Sequence, residues 1–92
     1  MTHEEIRNRV LECLGKVAPE ADLAALSPSV PFRDQLDIDS MDFLNFVVAL
    51  DEALHVAVPE ADYGAVTTLD DCVAYLARQS ERSAGSRTPD HA

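Results

Sequence analysis

The sequence has 92 residues, of which 47% are apolar and only 5% aromatic, so it can build one small domain with a mainly aliphatic core. Its 17 acidic residues and 7 Lys and Arg residues give a formal net charge of -10. This charge argues against binding to nucleic acid or to anionic membrane surfaces, because their phosphates would repel the protein.

The N-terminal segment "MTHEEIRNRV" is polar and does not resemble a signal peptide. No apolar run approaches the ~20 residues that span a bilayer. The isolated cysteines Cys13 and Cys72 fit no metal or redox spacing, and we expect them to be small buried side chains. Free cysteines are typical of a reducing compartment, so we predict a cytoplasmic protein.

The first predicted helix covers residues 3–17. Thr2 and Glu5 have the spacing of a capping box, and apolar residues then recur at helical intervals until Pro19 ends the helix. Residues 18–38 have no sustained period and predict a long first loop. Its apolar residues are spaced to anchor it on the core, so we expect a packed loop. They are Leu23, Leu26, Val30, Phe32 and Leu36.

The second predicted helix begins after Asp39, a good N-cap that Asp42 can support, and ends near His55. It holds more apolar residues than one inward stripe needs. We expect Leu50, Leu54 and Val47, with Phe46 or Phe43, to face the core. The surplus predicts a contact surface, although in so small a domain some of it can be core. It is drawn from Met41, Phe43, Leu44 and Val48.

The C-terminal part predicts a helical turn or two between Pro59 and Val66, and a last helix over residues 69–79 that Thr68 and Asp71 cap. Residues 80–92 contain no apolar residue larger than alanine, so we expect a disordered tail after a domain of residues 1–79. The predicted fold is all-α: a bundle of three main helices and one short helix.

Acidic residues dominate the middle of the chain, because no Lys or Arg occurs between Arg33 and Arg78. The stretch is either an ordinary solvated surface or a docking face of one sign for partners with basic patches. Its acids are Asp34, Asp37, Asp39, Asp42, Asp51, Glu52, Glu60, Asp62, Asp70 and Asp71.

Ser40 has no base that could activate it for catalysis. His55 lies fifteen residues further along the same predicted helix, roughly 20 Å away, while His3 and His91 lie near the two ends of the chain. A calcium loop also fails, because Met41 and Asp42 occupy positions that need a ligand and a glycine. We therefore predict that the chain is not an enzyme. Position alone favours an unmodified serine, yet a helix start can also stabilise an attached phosphate.

The segment "LDIDSMDFLNFVVALDEALHVAVPEADYGAVTTLDDCVAYL" resembles an acyl carrier protein. The family's D-S-[LM] motif appears as Asp39-Ser40-Met41, and Phe32 and Leu36 match the segment before it. "VAVPE" resembles the exit of the family's second helix, and "TTLDDCVAYL" resembles its last helix. The similarity extends over about residues 3–79 in the right order.

This resemblance implies a four-helix bundle whose motif serine, here Ser40, carries 4′-phosphopantetheine with Asp39 as the flanking acid. A phosphopantetheinyl transferase would attach the arm from coenzyme A with magnesium, and the arm's thiol would hold acyl groups as thioesters. The chain would be a monomer that presents them to enzymes of fatty acid, polyketide or related lipid biosynthesis. The implied partner-binding residues are Met41, Asp42, Leu44, Val48, Asp51 and Glu52.

Several positions depart from the family pattern. Asp37 replaces a usual glycine and could tolerate the unusual backbone that glycine implies. Gln35 replaces a frequent acid, Asn45 replaces a frequent glutamate, and Phe43 and Phe46 are aromatic where aliphatic residues are usual. We therefore hypothesise a specialised carrier with dedicated partners. Whether the two phenylalanines face the core, a bound acyl chain or a partner stays open at this point.

Two alternative functions remain. An aminoacyl or peptidyl carrier usually has a glycine-rich entry to its serine and less negative charge, and "LDIDS" lacks that entry. The other alternative is an interaction module of the same fold that never receives the arm. The acyl group, the pathway and the identity of the partners do not follow from the sequence.

Overall fold

The computed structural model describes residues 1–86, and every regular element in that range is a helix. Three are long: α1 (His3–Val17), α3 (Ser40–Leu54) and α4 (Leu69–Ser86). A single turn, α2 (Phe32–Gln35), and two 3-10 helices, Leu23–Ala25 and Glu60–Val66, lie between them. The predicted all-α bundle of three main helices and a short one is therefore confirmed.

Side-chain caps begin the three long helices where the sequence predicts them. At α1 the Glu5 N–H donates to the Thr2 hydroxyl (3.1 Å), and the Thr2 N–H donates to the Glu5 carboxylate (2.8 Å). At α4 the Asp71 N–H donates to the Thr68 hydroxyl (3.0 Å). These bonds satisfy donors that the first turn of a helix leaves without a partner.

The core lies where α1 packs against α3 and α4, with the 3-10 helix Glu60–Val66 against α4. Its largest fully buried side chains are Phe32, Phe46, Ile6, Leu14, Leu50, Leu69 and Leu76. Cys13 and Cys72 are buried with them as free thiols, as predicted. Among the described residues no charged side chain is buried, so apolar packing holds the bundle together.

The long first loop is packed, as predicted, and the Gln35 side chain ties it down. The Ser27 N–H donates to Oε1 of Gln35 (2.9 Å), and Nε2 donates to the carbonyls of Ser27 (2.8 Å) and Val30 (2.9 Å). Backbone bonds fix the same region to the start of α4: the Phe32 N–H donates to the Thr67 carbonyl (2.7 Å). The loop also contains α2, which the sequence pattern did not predict.

The last helix is longer than predicted. It reaches Ser86, the last residue described, and does not end near residue 79, so the first part of the segment expected to be disordered is helical. Once a helix has formed, each further residue adds a backbone hydrogen bond, so the helix can extend beyond its last buried apolar residue. The remainder of the predicted tail, residues 87–92, lies outside the described residues. The division of the chain into a domain of residues 1–79 and a disordered tail therefore stays a prediction.

The backbone at Asp37 is ordinary, although glycine is usual there in the family it resembles. The Ile38 N–H donates to the Leu36 carbonyl (3.0 Å) across Asp37 in a tight turn. Within residues 1–86, His55 at the end of α3 is the one non-glycine residue with a positive φ (57°). An aspartate at position 37 therefore carries no left-handed strain.

Candidate functional site

Ser40 is the first residue of α3, and its side chain is exposed at the edge of a cleft. The chain reaches it through Ile38, which is buried and anchors the residues just before the helix. A rigid helix start thus presents a hydroxyl group to solvent. This is the geometry that a residue needs when another protein must modify it.

Two carboxylates form a capping box around the Ser40 backbone. Oδ1 of Asp39 accepts a hydrogen bond from the Asp42 N–H (2.9 Å), and Oδ2 of Asp42 accepts one from the Asp39 N–H (3.2 Å). Asp39 is therefore the N-cap that the sequence predicts. Asp42 is half-buried in the same box, so its carboxylate is already engaged at the helix start.

The cleft beside Ser40 has a volume of about 430 Å³ and a mostly apolar lining. It runs between α2, the first turn of α3 and the 3-10 helix Glu60–Val66. The residues that line it are Pro31, Phe32, Arg33, Ser40, Met41, Phe43, Leu44, Tyr63, Gly64 and Thr67. The sequence analysis did not assign Arg33, Tyr63, Gly64 or Thr67 to a site, because only the fold brings them to Ser40.

Three aromatic side chains line the cleft, and a fourth packs against two of them. The Phe43 ring lies edge-on to Tyr63 with centroids 5.6 Å apart, and Phe46 lies edge-on to Phe32 at 5.4 Å. Phe46 is fully buried, whereas Phe43 is 9% exposed and lines the cleft. The open question about the two phenylalanines is thereby answered: both belong to the core, and Phe43 also contacts the cleft.

One face of α3 carries exposed apolar side chains followed by acids. Met41 (64% exposed), Leu44 (40%) and Val48 (50%) recur at helical spacing, and Asp51 and Glu52 are exposed one turn further on. We call these five residues the α3 stripe. The structure thus brings five of the six predicted partner-binding residues to one surface, while Asp42 belongs to the capping box.

The described residues offer Ser40 no base. His55 lies at the opposite end of α3, roughly 20 Å from Ser40 along the helix axis, and His3 is at the start of α1. Residues 1–86 also contain no group of three or more side chains able to hold a metal ion. None of the helices described is both long enough and apolar enough to cross a membrane.

Burial controls the chemistry of the two cysteines. It raises the pKa of the Cys72 thiol to about 12, with a smaller contribution from Cys13. Burial also raises the pKa of Cys13, against the opposing charge of Lys16. Both thiols are therefore protonated at neutral pH and poor nucleophiles.

Comparison with known proteins shows that most of the chain, including Ser40, matches one protein family. Residues 8–76 match a family model described as "Phosphopantetheine attachment site". The chain is 33% identical over 79 residues to an acyl carrier protein of Acidothermus cellulolyticus, covering 84% of this chain and 90% of that protein.

Two further relatives extend the range of similarity. The meromycolate extension acyl carrier protein of Mycobacterium tuberculosis is 29% identical over 83 residues, covering 90% of this chain and 71% of that protein. A Schizosaccharomyces pombe relative, whose name describes a mitochondrial acyl carrier protein, is 23% identical over 77 residues. That match covers 84% of this chain and 69% of the relative.

Proposed function

We propose that this chain, which belongs to the acyl carrier protein family, holds its acyl groups on a 4′-phosphopantetheine arm attached to Ser40. Members of the family are carriers and not enzymes, and phosphopantetheine is their prosthetic group. The observation that carries the proposal is the exposed Ser40 hydroxyl at the capped start of α3, beside the apolar cleft.

The lack of a base near Ser40 fits attachment by a separate transferase. In that reaction Ser40 Oγ forms a bond to the pantetheine-side phosphorus of coenzyme A, and the bond from that phosphorus to adenosine bisphosphate breaks. The hydroxyl proton leaves to a base on the transferase. Asp39 holds the helix start in place, so that the hydroxyl meets the transferase on a rigid element. Once attached, the arm supplies a thiol that forms thioesters.

The α3 stripe is the proposed docking surface for the transferase and for enzymes that load or remove acyl groups. Its apolar residues give contact area, and Asp51 and Glu52 attract basic patches and orient the partner. Asp42 contributes through its charge, since its carboxylate stays bonded to the backbone of Asp39. We propose that the carrier acts as a monomer and docks these partners one at a time.

Within lipid biosynthesis, we propose a specialised carrier with dedicated partners for fatty acid, polyketide or related acyl chains. The aromatic Phe43 and the neutral Asn45 distinguish its α3 from the family pattern. One relative is named for meromycolate extension. A cytoplasmic location agrees with the two free thiols, and the mitochondrial relative makes an organelle the alternative to test.

Mass spectrometry of the intact protein tests the attachment site. After incubation with coenzyme A, magnesium and a broad-specificity transferase, we expect a gain of roughly 340 Da. Ser40→Ala should abolish the gain, and the matched control Ser29→Ala, at an exposed loop serine, should retain it. Wild-type protein that gains no mass with several transferases would refute the carrier function and favour the interaction module.

Loading assays then separate the classes of cargo. Transfer of acyl groups but not aminoacyl groups onto the arm would exclude the aminoacyl or peptidyl carrier. Efficient turnover by a general fatty acid synthesis system would contradict the specialised role. Val48→Gln, at a half-exposed position of the α3 stripe outside the cleft, should weaken transfer by the cognate enzyme without lowering the melting temperature.

A further inference from the structure

Arg33 stands out because it is a cation in the lining of the cleft that also contains Ser40. The next Arg or Lys along the chain is Arg78, so the residues between them supply no further guanidinium or ammonium group. The Arg33 side chain is exposed. Within the described residues, one ion pair is found, between Arg9 and Glu12 (3.9 Å). Arg33 therefore has no carboxylate partner among them.

The attachment site has an electrostatic conflict that Arg33 can resolve. A phosphodiester on Ser40 adds one negative charge beside the carboxylates of Asp39 and Asp42. The capping box already occupies one backbone N–H of the first turn, so the helix start supplies fewer free donors than an uncapped helix. The phosphodiester and the two carboxylates would repel one another, and a nearby cation would offset this repulsion.

We propose that Arg33 binds the phosphodiester of the arm attached to Ser40 and so sets the direction in which the arm leaves the protein. This inference rests on the proposed function, because it requires Ser40 to be the attachment residue. A guanidinium group suits the task, since its planar donors can bind two phosphate oxygens at once and its charge does not titrate near neutral pH.

The structure holds Arg33 in place from both sides. The preceding residue, Phe32, is fully buried against Phe46, and its N–H donates to the Thr67 carbonyl (2.7 Å). Two residues later, Gln35 is fixed by its three bonds to the loop. The backbone of α2 is therefore anchored, and the pairing requires ordering only of the Arg33 side chain.

This pairing has a directional consequence. Arg33 lines the side of the cleft formed by α2, whereas the α3 stripe continues toward Glu52 along α3. A phosphodiester held by Arg33 would direct the base of the arm over the cleft and leave most of the α3 stripe uncovered. The carrier could then dock a partner while the arm remains beside the aromatic lining of the cleft.

The test compares the protein with and without the arm in three forms: wild type, Arg33→Gln, and Arg78→Gln as a control at an exposed arginine on α4. Intact mass first verifies complete attachment with excess transferase. At low salt, the arm should lower the melting temperature of Arg33→Gln by ~1 to 5 °C more than that of wild type or Arg78→Gln. This excess should shrink in 0.5 M NaCl, at roughly a 4 Å screening length.

Phosphorus NMR supplies a second readout, because the phosphodiester resonance should shift in Arg33→Gln but not in Arg78→Gln. Arg33→Lys should restore part of both effects. Equal effects of the arm on all three proteins, with an unmoved resonance, would overturn the role of Arg33 while leaving Ser40 as the attachment site. A wild-type chain that never gains the mass would instead refute the proposed function itself.

Discussion

Gln35→Glu is a sharp test of how the long loop is held, because it changes one atom in a side chain that makes three hydrogen bonds. The introduced carboxyl can still accept the hydrogen bond from the Ser27 N–H. It cannot, when ionised, donate to the carbonyls of Ser27 and Val30, which Nε2 of Gln35 reaches at 2.8 and 2.9 Å. Two donor bonds are therefore replaced by repulsion between oxygens.

The expected loss of stability follows from those two bonds. Each is worth about 1 kcal/mol, and the site is partly buried, so the two lost bonds and the new repulsion together cost about 2 to 3 kcal/mol. In a domain of this size that loss lowers the melting temperature by roughly 10 to 20 °C at pH 7. The effect therefore measures how far this loop depends on the Gln35 amide.

The loss should depend on pH with a definite sign. The two carbonyl oxygens disfavour the ionised carboxyl in the folded protein, which raises its pKa above the value in the unfolded chain. The folded state then binds the proton more tightly, so the variant regains stability as the pH falls and loses it as the pH rises through the folded pKa. A protonated carboxyl also restores one donor.

Thermal melts from pH 4 to pH 8 measure both effects. The matched control is Gln79→Glu, which adds the same charge at a half-buried position on α4 whose side chain forms no hydrogen bond with the other described residues. The difference between the two variants isolates the loop bonds from the general cost of another acid. Equal melting temperatures for both variants at pH 7 would refute the role assigned to Gln35.

Four further effects follow from the structure. Burial keeps Cys72 protonated, so stability should fall as the pH rises from 9 toward 12, and Cys72→Ala should reduce that slope in melts against pH. His55→Gly should raise the melting temperature by about 2 to 6 °C, because His55 ends α3 with a φ of 57°. Asp39→Ala should cost about 0.5 to 2 kcal/mol in urea unfolding, and Asp39→Asn less. Added NaCl or magnesium should raise the melting temperature by screening the net charge of -10.

Each of these effects has an outcome that would contradict it. An unchanged pH slope in Cys72→Ala would show that other groups cause the alkaline loss. For the end of α3, a gain from His55→Ala equal to that from His55→Gly would exclude relief of backbone strain. If Asp39→Ala unfolds at the same urea concentration as the wild type, the Asp39 cap does not stabilise the fold. Melting temperatures that stay flat with salt would contradict a surface under mutual repulsion.

The helices could be predicted because their signals are local. Thr2, Asp39 and Thr68 begin helices by bonds to residues three positions away, and such spacing is visible in the sequence. The surplus of apolar residues on α3 likewise predicts that some of them are exposed, as Met41 and Leu44 are. Assigning Ser40 a function was possible only through the family resemblance.

The features that could not be predicted depend on contacts between distant residues. Gln35 looks like an ordinary polar residue until the fold places it beside Ser27 and Val30. The cleft needs Tyr63 to meet Phe43, and most of α3 and the loop after it separate these two residues in the sequence. Apolar periodicity stops near residue 79 although α4 continues to Ser86, so the pattern alone predicts too short a helix.

The burial of Cys13 and Cys72 has a consequence for the cargo. Thioesters are attacked by thiolates, and a carrier with a reactive cysteine of its own could capture the acyl group that it is meant to deliver. Here both native thiols lie in the core, where their raised pKa values keep them protonated. The fold thereby protects the acyl group from internal exchange and leaves its transfer to the partner enzyme.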